Sequence, residues 1–150
     1  MNSKTRPVAS SVAIVIAMIS SYTLAQTVET EVNQFKPSQS DVGDNLGTSV
    51  AVDGDLIVVG SPWSDESVSN GGSAFVWEWN EVDWELVGSL NPLILNPGDL
   101  FGVSVAVSGE WIAVGAPYDD DQGTTAGAVY IFRVVDGVIG FIDKLYDASP

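Results

Sequence analysis

The stretch Phe101-Gly102-Val103-Ser104-Val105-Ala106-Val107, followed after a short polar interval by Ile112-Ala113-Val114-Gly115-Ala116-Pro117, decides the fold, because the chain carries it twice. Fifty-five residues earlier stand Leu46-Gly47-Thr48-Ser49-Val50-Ala51-Val52 and Ile57-Val58-Val59-Gly60-Ser61-Pro62. The match is gapless from Asp44–Leu90 onto Asp99–Leu145, with 14 of 47 positions identical and ten of those between Gly47 and Pro62. The first half of the unit is therefore the better preserved, and a period of this length points to a repeat architecture.

Each unit reads as four short strands. The first runs from about Gly47 to Val52, and Asp53-Gly54 is a two-residue hairpin signal of the type that needs positive φ. Asp55 to Gly60 follows, nearly all Val, Ile and Leu, which suits a strand buried on both faces. Beyond a polar loop, Ser73 to Trp79 alternates Phe75, Trp77 and Trp79 with Ala74, Val76 and Glu78, and its copy alternates Tyr130, Phe132 and Val134 with Val129, Ile131 and Arg133. The turns Asn80 to Asp83 and Asp136-Gly137 lead to fourth strands at Trp84 to Leu90 and Val138 to Leu145. No segment after residue 25 shows a helical period with caps. Four-stranded antiparallel units at this spacing predict the all-β class, as consecutive β-propeller blades.

In the same register, Val32-Asn33-Gln34-Phe35-Lys36-Pro37 lies over Val87-Gly88-Ser89-Leu90-Asn91-Pro92, so an orphan fourth strand precedes the first full unit. The expected organisation is a signal peptide at 1–25, an N-terminal strand and linker at 26–43, blade 1 at 44–98 and blade 2 at 99–150. Two blades cannot close a ring that needs four or more, so the chain reads as an incomplete propeller. Closure would take further blades in cis or in an oligomer.

Phe101-Gly102 and Gly115-Ala116-Pro117, spaced by Ser104-Val105-Ala106-Val107, resemble the FG-GAP repeat, the blade unit of the integrin α-subunit head and of many exported bacterial proteins. Leu46-Gly47 and Gly60-Ser61-Pro62 form a weaker first copy, and the resemblance covers about 105 residues. It implies a propeller of seven blades when complete, serving as an extracellular binding or adhesion platform. The family is also known for a calcium loop between the first two strands, and here the sequence departs from it. Only Asp53-Gly54-Asp55 and Ser108-Gly109-Glu110 occupy that place, too few oxygens for a cation that takes six to eight. The calcium ligands of the family are not carried over.

Composition narrows the chemistry. The chain has 20 Asp and Glu against five Lys and Arg, a net charge of −15, with no His and no Cys. Nucleophilic triads using His or Cys, imidazole or thiolate metal sites, disulfides and histidine switching are all excluded. No basic face is available for nucleic acid. At the N-terminus Lys4 and Arg6 precede an apolar run from Val8 to Ile19 and a small, polar segment ending Thr23-Leu24-Ala25, the order of a secretory signal peptide cleaved after Ala25. The run is too short to span a bilayer, so no membrane insertion is expected. Removal of the leader leaves 20 acids against three bases, a net charge of −17, on a chain expected to be secreted, extracellular or periplasmic.

The loop after each Gly-x-Pro is the richest polar region: Trp63-Ser64-Asp65-Glu66 in one copy and Tyr118-Asp119-Asp120-Asp121-Gln122-Gly123 in the other. Three successive carboxylates repel, and a hard cation would relieve that repulsion, so Asp119, Asp120 and Asp121 are the candidate calcium ligands beside the plainer reading of a solvated acidic loop. The aromatic side chains, Trp63 and Tyr118 included, are expected to pack between blades, with a sugar or a partner protein as the alternative contact for those two. No catalytic residue is assigned, because nothing places two carboxylates for glycoside chemistry. The expectation is an exported, non-enzymatic scaffold that binds an extracellular protein or glycan, the runner-up being the propeller part of a larger exported hydrolase.

Overall fold

The computed structural model describes residues 35–92, 94–124 and 126–146; the expected signal peptide and most of the expected orphan strand lie outside them. The strands are β1 (Ser49–Asp53), β2 (Leu56–Ser61), β3 (Ser73–Trp79), β4 (Trp84–Ser89), β5 (Ser104–Ser108), β6 (Trp111–Ala116), β7 (Ala128–Val135) and β8 (Val138–Tyr146). They form two antiparallel four-stranded sheets in the orders β1-β2-β3-β4 and β5-β6-β7-β8. These are the two blades; no closed ring is formed among the described residues.

Alternation in the central strands does not separate a wet face from a dry one. Pairing β2 with β3 sets Val58 opposite Val76 and Val59 opposite Phe75, which puts Leu56, Val58, Ala74 and Val76 on one side of the sheet and Ile57, Val59, Phe75 and Trp77 on the other. The first side meets blade 2 and joins Phe101, Ile112, Val114, Tyr130 and Phe132 in one core between the blades. The second side is packed by Phe35, Leu46 and Trp84, with the Phe35 ring edge-on to Trp77 at 5.4 Å between centroids. Phe35 to Pro37 is not itself paired as a strand, so the described part of the expected orphan strand acts through its side chain. Each blade also has a bulge at the matching place in its last strand, between the partners of Val76 and Trp77 and between those of Ile131 and Phe132. The extra residue is Val87 in β4, which packs into the core between the blades.

The first hairpin departs from the expectation by one residue. Asp53 pairs with Leu56, so the turn is Gly54-Asp55, and Gly54 takes the left-handed conformation at φ 56°. Asp53 stays in β1, where its Oδ2 accepts the Gly109 N–H of the next blade's hairpin at 2.7 Å.

The signature residues are explained by how closely the blades approach. The Phe101 N–H donates to the Gly71 carbonyl at 2.8 Å, Gly72 and Phe101 form a parallel bridge, and Ser49 Oγ donates to the Gly102 carbonyl at 2.8 Å. A Cβ on Gly60 would lie 2.0 Å from the Gly102 carbonyl oxygen, and one on Gly102 would lie 2.4 Å from the Ser73 oxygen. Backbone meets backbone here, so no side chain can turn aside. In blade 2 the counterpart of Gly60 is Gly115, whose added Cβ would meet only the Ser104 hydroxyl, at 2.3 Å.

Ahead of each first strand, Asp44 and Asp99 are buried, and their carboxylates accept the Asp41 and Asn96 N–H groups at 2.8 and 2.7 Å. The next residue is left-handed in both copies, Asn45 at φ 53° and Leu100 at φ 54°. Asn tolerates that conformation, whereas Leu is strained in it.

Two outcomes are expected in equilibrium urea unfolding. Gly60→Ala loses more than about 2 kcal/mol, while Gly115→Ala loses less than about 1 kcal/mol because a hydroxyl can rotate away. Leu100→Asn, the residue of the first copy, gains about 0.5–1 kcal/mol by relieving the left-handed strain.

Candidate functional site

One end of the sheets carries the β2–β3 loop (residues 62–72) and the β6–β7 loop (117–127, of which 125 is not described), together with the connector that leaves β4. In each loop the residue after the proline is an aromatic that stands in solvent: Trp63 is 39% and Tyr118 52% exposed. This corrects the expectation that all the aromatics pack between blades. The cause is local. Trp63 N–H donates to the Asp44 carbonyl and Tyr118 N–H to the Asp99 carbonyl, both at 3.4 Å, which ties these backbones to the turn before the first strand. Trp111 also lies in the open at 49% exposure, with the Arg133 guanidinium 5.5 Å from its ring centre.

The three acidic residues of the second loop are not alike. Asp119 is buried at 2% exposure, and its carboxylate accepts the Tyr130 hydroxyl from β7 at 2.5 Å and the Lys144 ammonium from β8 at 2.7 Å. The same ammonium donates to Asp121 Oδ2 at 2.6 Å. Asn96 Nδ2, from the connector, donates to Asp121 at 2.9 Å and to Asp120 at 3.3 Å. Asp119 and Asp121 thus share a cation, and that cation is Lys144. Asp120 remains exposed.

The electrostatics follow from this arrangement. Burial alone would pull the Lys144 ammonium down, but its hydrogen bonds to Asp119 and Asp121 outweigh burial and hold it above the ordinary lysine range. Burial first, and the hydrogen bond to Asp119 second, push the Tyr130 hydroxyl above the usual tyrosine value. The hydrogen bond from Lys144, then that from Asn96, hold Asp121 below the usual carboxylate range. Asp99, beneath the loop, is raised by burial, against the opposing hydrogen bond from the Asn96 backbone and with the charges of Asp119, Asp120 and Asp121 adding to the rise.

Among the described residues no group of three acidic side chains converges as a metal site. Calcium needs six to eight oxygens, and a cation between Asp119 and Asp121 would have to displace an ammonium already hydrogen-bonded to both. The donor set in this arrangement does not fit calcium. Nor does the β1–β2 turn fit it, since Asp53 is engaged with Gly109.

The sequence reading missed Tyr130 and Lys144. Their signal is in the repeat: at the 55-residue offset Asp119, Tyr130 and Lys144 replace Ser64, Phe75 and Ser89, so an ionic set in blade 2 stands where blade 1 has a neutral one. Ser64 is buried as Asp119 is, and its hydroxyl accepts the Glu66 N–H at 3.3 Å.

Residues 30–77 and 84–132 each match the model of the FG-GAP repeat. The chain belongs to the FG-GAP repeat family. Each matched segment takes in a Phe-Gly or Leu-Gly tongue and the Gly-x-Pro that closes the second strand, the residues whose close packing was described above. The second match begins at Trp84, the first residue of β4, and ends in β7, so the family's sequence unit joins the last strand of one blade to three strands of the next. No curated protein sequence matches the chain significantly.

Replacing Lys144 by Met strands the buried Asp119 carboxylate without its cation and is expected to cost about 3 kcal/mol at neutral pH. The stability contributed by the depressed Asp121 is present above about pH 4 and is lost as pH falls through its folded value. The contribution of the raised Lys144 is present in full below about pH 10.4 and is lost as pH rises through its folded value. Thermal melts of wild type and Lys144→Met across the acidic range check this: their midpoints should converge as the pH is lowered.

Proposed function

We propose that this FG-GAP chain is an exported, non-catalytic binding scaffold that recognises an extracellular protein or glycan through the loops after each Gly-x-Pro. The observation that carries this reading is the repeated, solvent-exposed ring at Trp63 and Tyr118, each followed by acidic residues on the same end of adjacent blades. Exposed rings supply stacking area, and neighbouring carboxylates and amides accept or donate to hydroxyls or basic groups. The loop in blade 2 is held by Asp119, Tyr130 and Lys144 before any partner arrives, so little ordering cost falls on binding. Export is supported by the sequence order of Lys4, Arg6, the apolar run Val8–Ile19 and Ala25.

Binding of the chain to a glycan array and to a panel of extracellular matrix proteins tests the proposal. Trp63→Ala and Tyr118→Ala are each expected to weaken the interaction about tenfold while the melting curve is retained. Unchanged binding by both variants, or turnover of the captured glycan, would remove it.

A further inference from the structure

Asn70-Gly71 is the single Asn-Gly pair of the sequence, and it lies where blade 1 receives the Leu100-Phe101 segment of blade 2. The fold favours both residues. Gly71 has little room for a side chain, since a Cβ there would lie 2.5 Å from a Val68 methyl carbon and 3.3 Å from the Val68 carbonyl oxygen. Asn70 is left-handed at φ 49°, a conformation that asparagine tolerates better than most residues. At the 55-residue offset blade 2 has Thr125-Ala126, so the pair is peculiar to blade 1.

Asparagine before glycine is chemically labile, because the glycine nitrogen has no neighbouring side chain to screen it. After giving its proton to solvent base, the Gly71 nitrogen bonds to Asn70 Cγ, the Cγ–Nδ2 bond breaks, and Nδ2 leaves as ammonia. Solvent water then opens the five-membered imide at one of its two carbonyls. One opening yields aspartate; the other yields isoaspartate, in which the main chain runs through the former side chain.

Asn70 is exposed, so base and water reach it. Its main chain is held. Asn70 N–H donates to Asp65 Oδ1 at 2.6 Å, and the peptide unit between residues 70 and 71 is pinned on both edges. The carbonyl of that unit accepts the Leu100 N–H at 3.4 Å, and its N–H donates to the Val68 carbonyl at 3.0 Å. A peptide unit is planar and turns as one piece, so bringing the Gly71 nitrogen onto Cγ breaks both bonds, one of which comes from blade 2. The next carbonyl, that of Gly71, accepts the Phe101 N–H at 2.8 Å and resists the same rotation.

We infer that Asn70 is a deamidation site gated by the joint between the blades, its ring closing only when the Leu100-Phe101 segment has drawn away from the β2–β3 loop. Isoaspartate adds a methylene group to the main chain immediately before Gly71. Gly71 and Gly72 meet Phe101 backbone to backbone, so no side-chain rotation absorbs the added length, and the modified joint is weaker. The inference rests on the geometry of the joint and is independent of the loop-binding proposal.

Incubation of the full chain at mildly alkaline pH tests it, with deamidation at residue 70 followed by peptide mass spectrometry and isoaspartate recognised by its resistance to a protease that cleaves before aspartate. The native chain is expected to react at least about tenfold more slowly than the urea-unfolded chain, and its rate to rise with urea below the unfolding transition as the joint opens locally. Gly60→Ala, which crowds the Gly102 contact, should raise the rate in buffer several-fold; the urea series on the wild type carries the test if that variant does not fold. Chains containing isoaspartate, once separated, should unfold at lower urea than fresh chains, and Asn70→Asp, which has the new charge without the added methylene, should lose less. A native rate equal to the unfolded rate, no isoaspartate at residue 70 even in the unfolded chain, a native rate that urea leaves unchanged until global unfolding, or isoaspartate chains as stable as fresh ones would each overturn the inference.

Discussion

The approach of the Phe101-Gly102 backbone to Gly60, Gly71 and Gly72 sets the spacing on which everything else in the structure depends. Because main chain lies on main chain there, the distance between blades cannot be adjusted by side-chain rotation. The core between the blades is filled to that distance: Phe101 is fully buried, edge-on to Tyr130 at 5.2 Å and to Phe132 at 6.1 Å. A hairpin hydrogen bond from Gly109 to Asp53 fixes the opposite end of the same contact. The glycines and the phenylalanine of the family signature therefore act as one device, in which small residues permit contact and a large one exploits it.

Much of this was legible in the sequence, for a physical reason. The period of 55 residues, the nearly all-aliphatic second strand and the placement of the third strand at Ser73–Trp79 all follow from burial on two faces, which leaves a strong apolar record in the residues themselves. What the sequence obscured were features that depend on which neighbour arrives. Alternation in β3 says that two faces differ but not that both are covered, one by blade 2 and the other by Phe35 and Leu46. An Asp-Gly pair marks a turn without fixing its phase, and in both blades the left-handed glycine takes the first turn position, Gly54 after Asp53 and Gly109 after Ser108. The Asp119 to Asp121 run reads as uniform charge, yet Lys144, more than twenty residues away, decides that Asp119 is interior and Asp120 is surface.

The two blades share a backbone plan while differing in how their loops are held. Blade 1 holds its β2–β3 loop by separate hydrogen bonds, with Ser61 Oγ donating to the Asp44 carbonyl at 3.0 Å, Asp65 accepting the Asn70 N–H at 2.6 Å and Glu66 accepting the Ser73 hydroxyl at 3.1 Å. Blade 2 uses a buried ionic set. Such sets stabilise less than their Coulomb attraction suggests, but they hold geometry strictly, since a displaced partner leaves an unpaired charge behind. The aromatic that follows each proline is thereby presented from a fixed base, and the loops are free to vary in the residues that point outward.

The family's repeat, running from β4 of one blade through β3 of the next, does not coincide with a sheet. The seam between successive sequence units falls in the β3–β4 turn, which is exposed at Asn80–Asp83 and at Asp136-Gly137. A genetic duplication with its endpoints in that turn inserts a last strand and three first strands together. Every sheet on either side of the insertion is then completed by a partner of the right kind, and the Phe-Gly segment and the glycines that receive it multiply in step. The array can lengthen in this way without passing through an ancestor with a broken blade, because the joint where the gene is cut lies in an exposed turn and every strand keeps its neighbours.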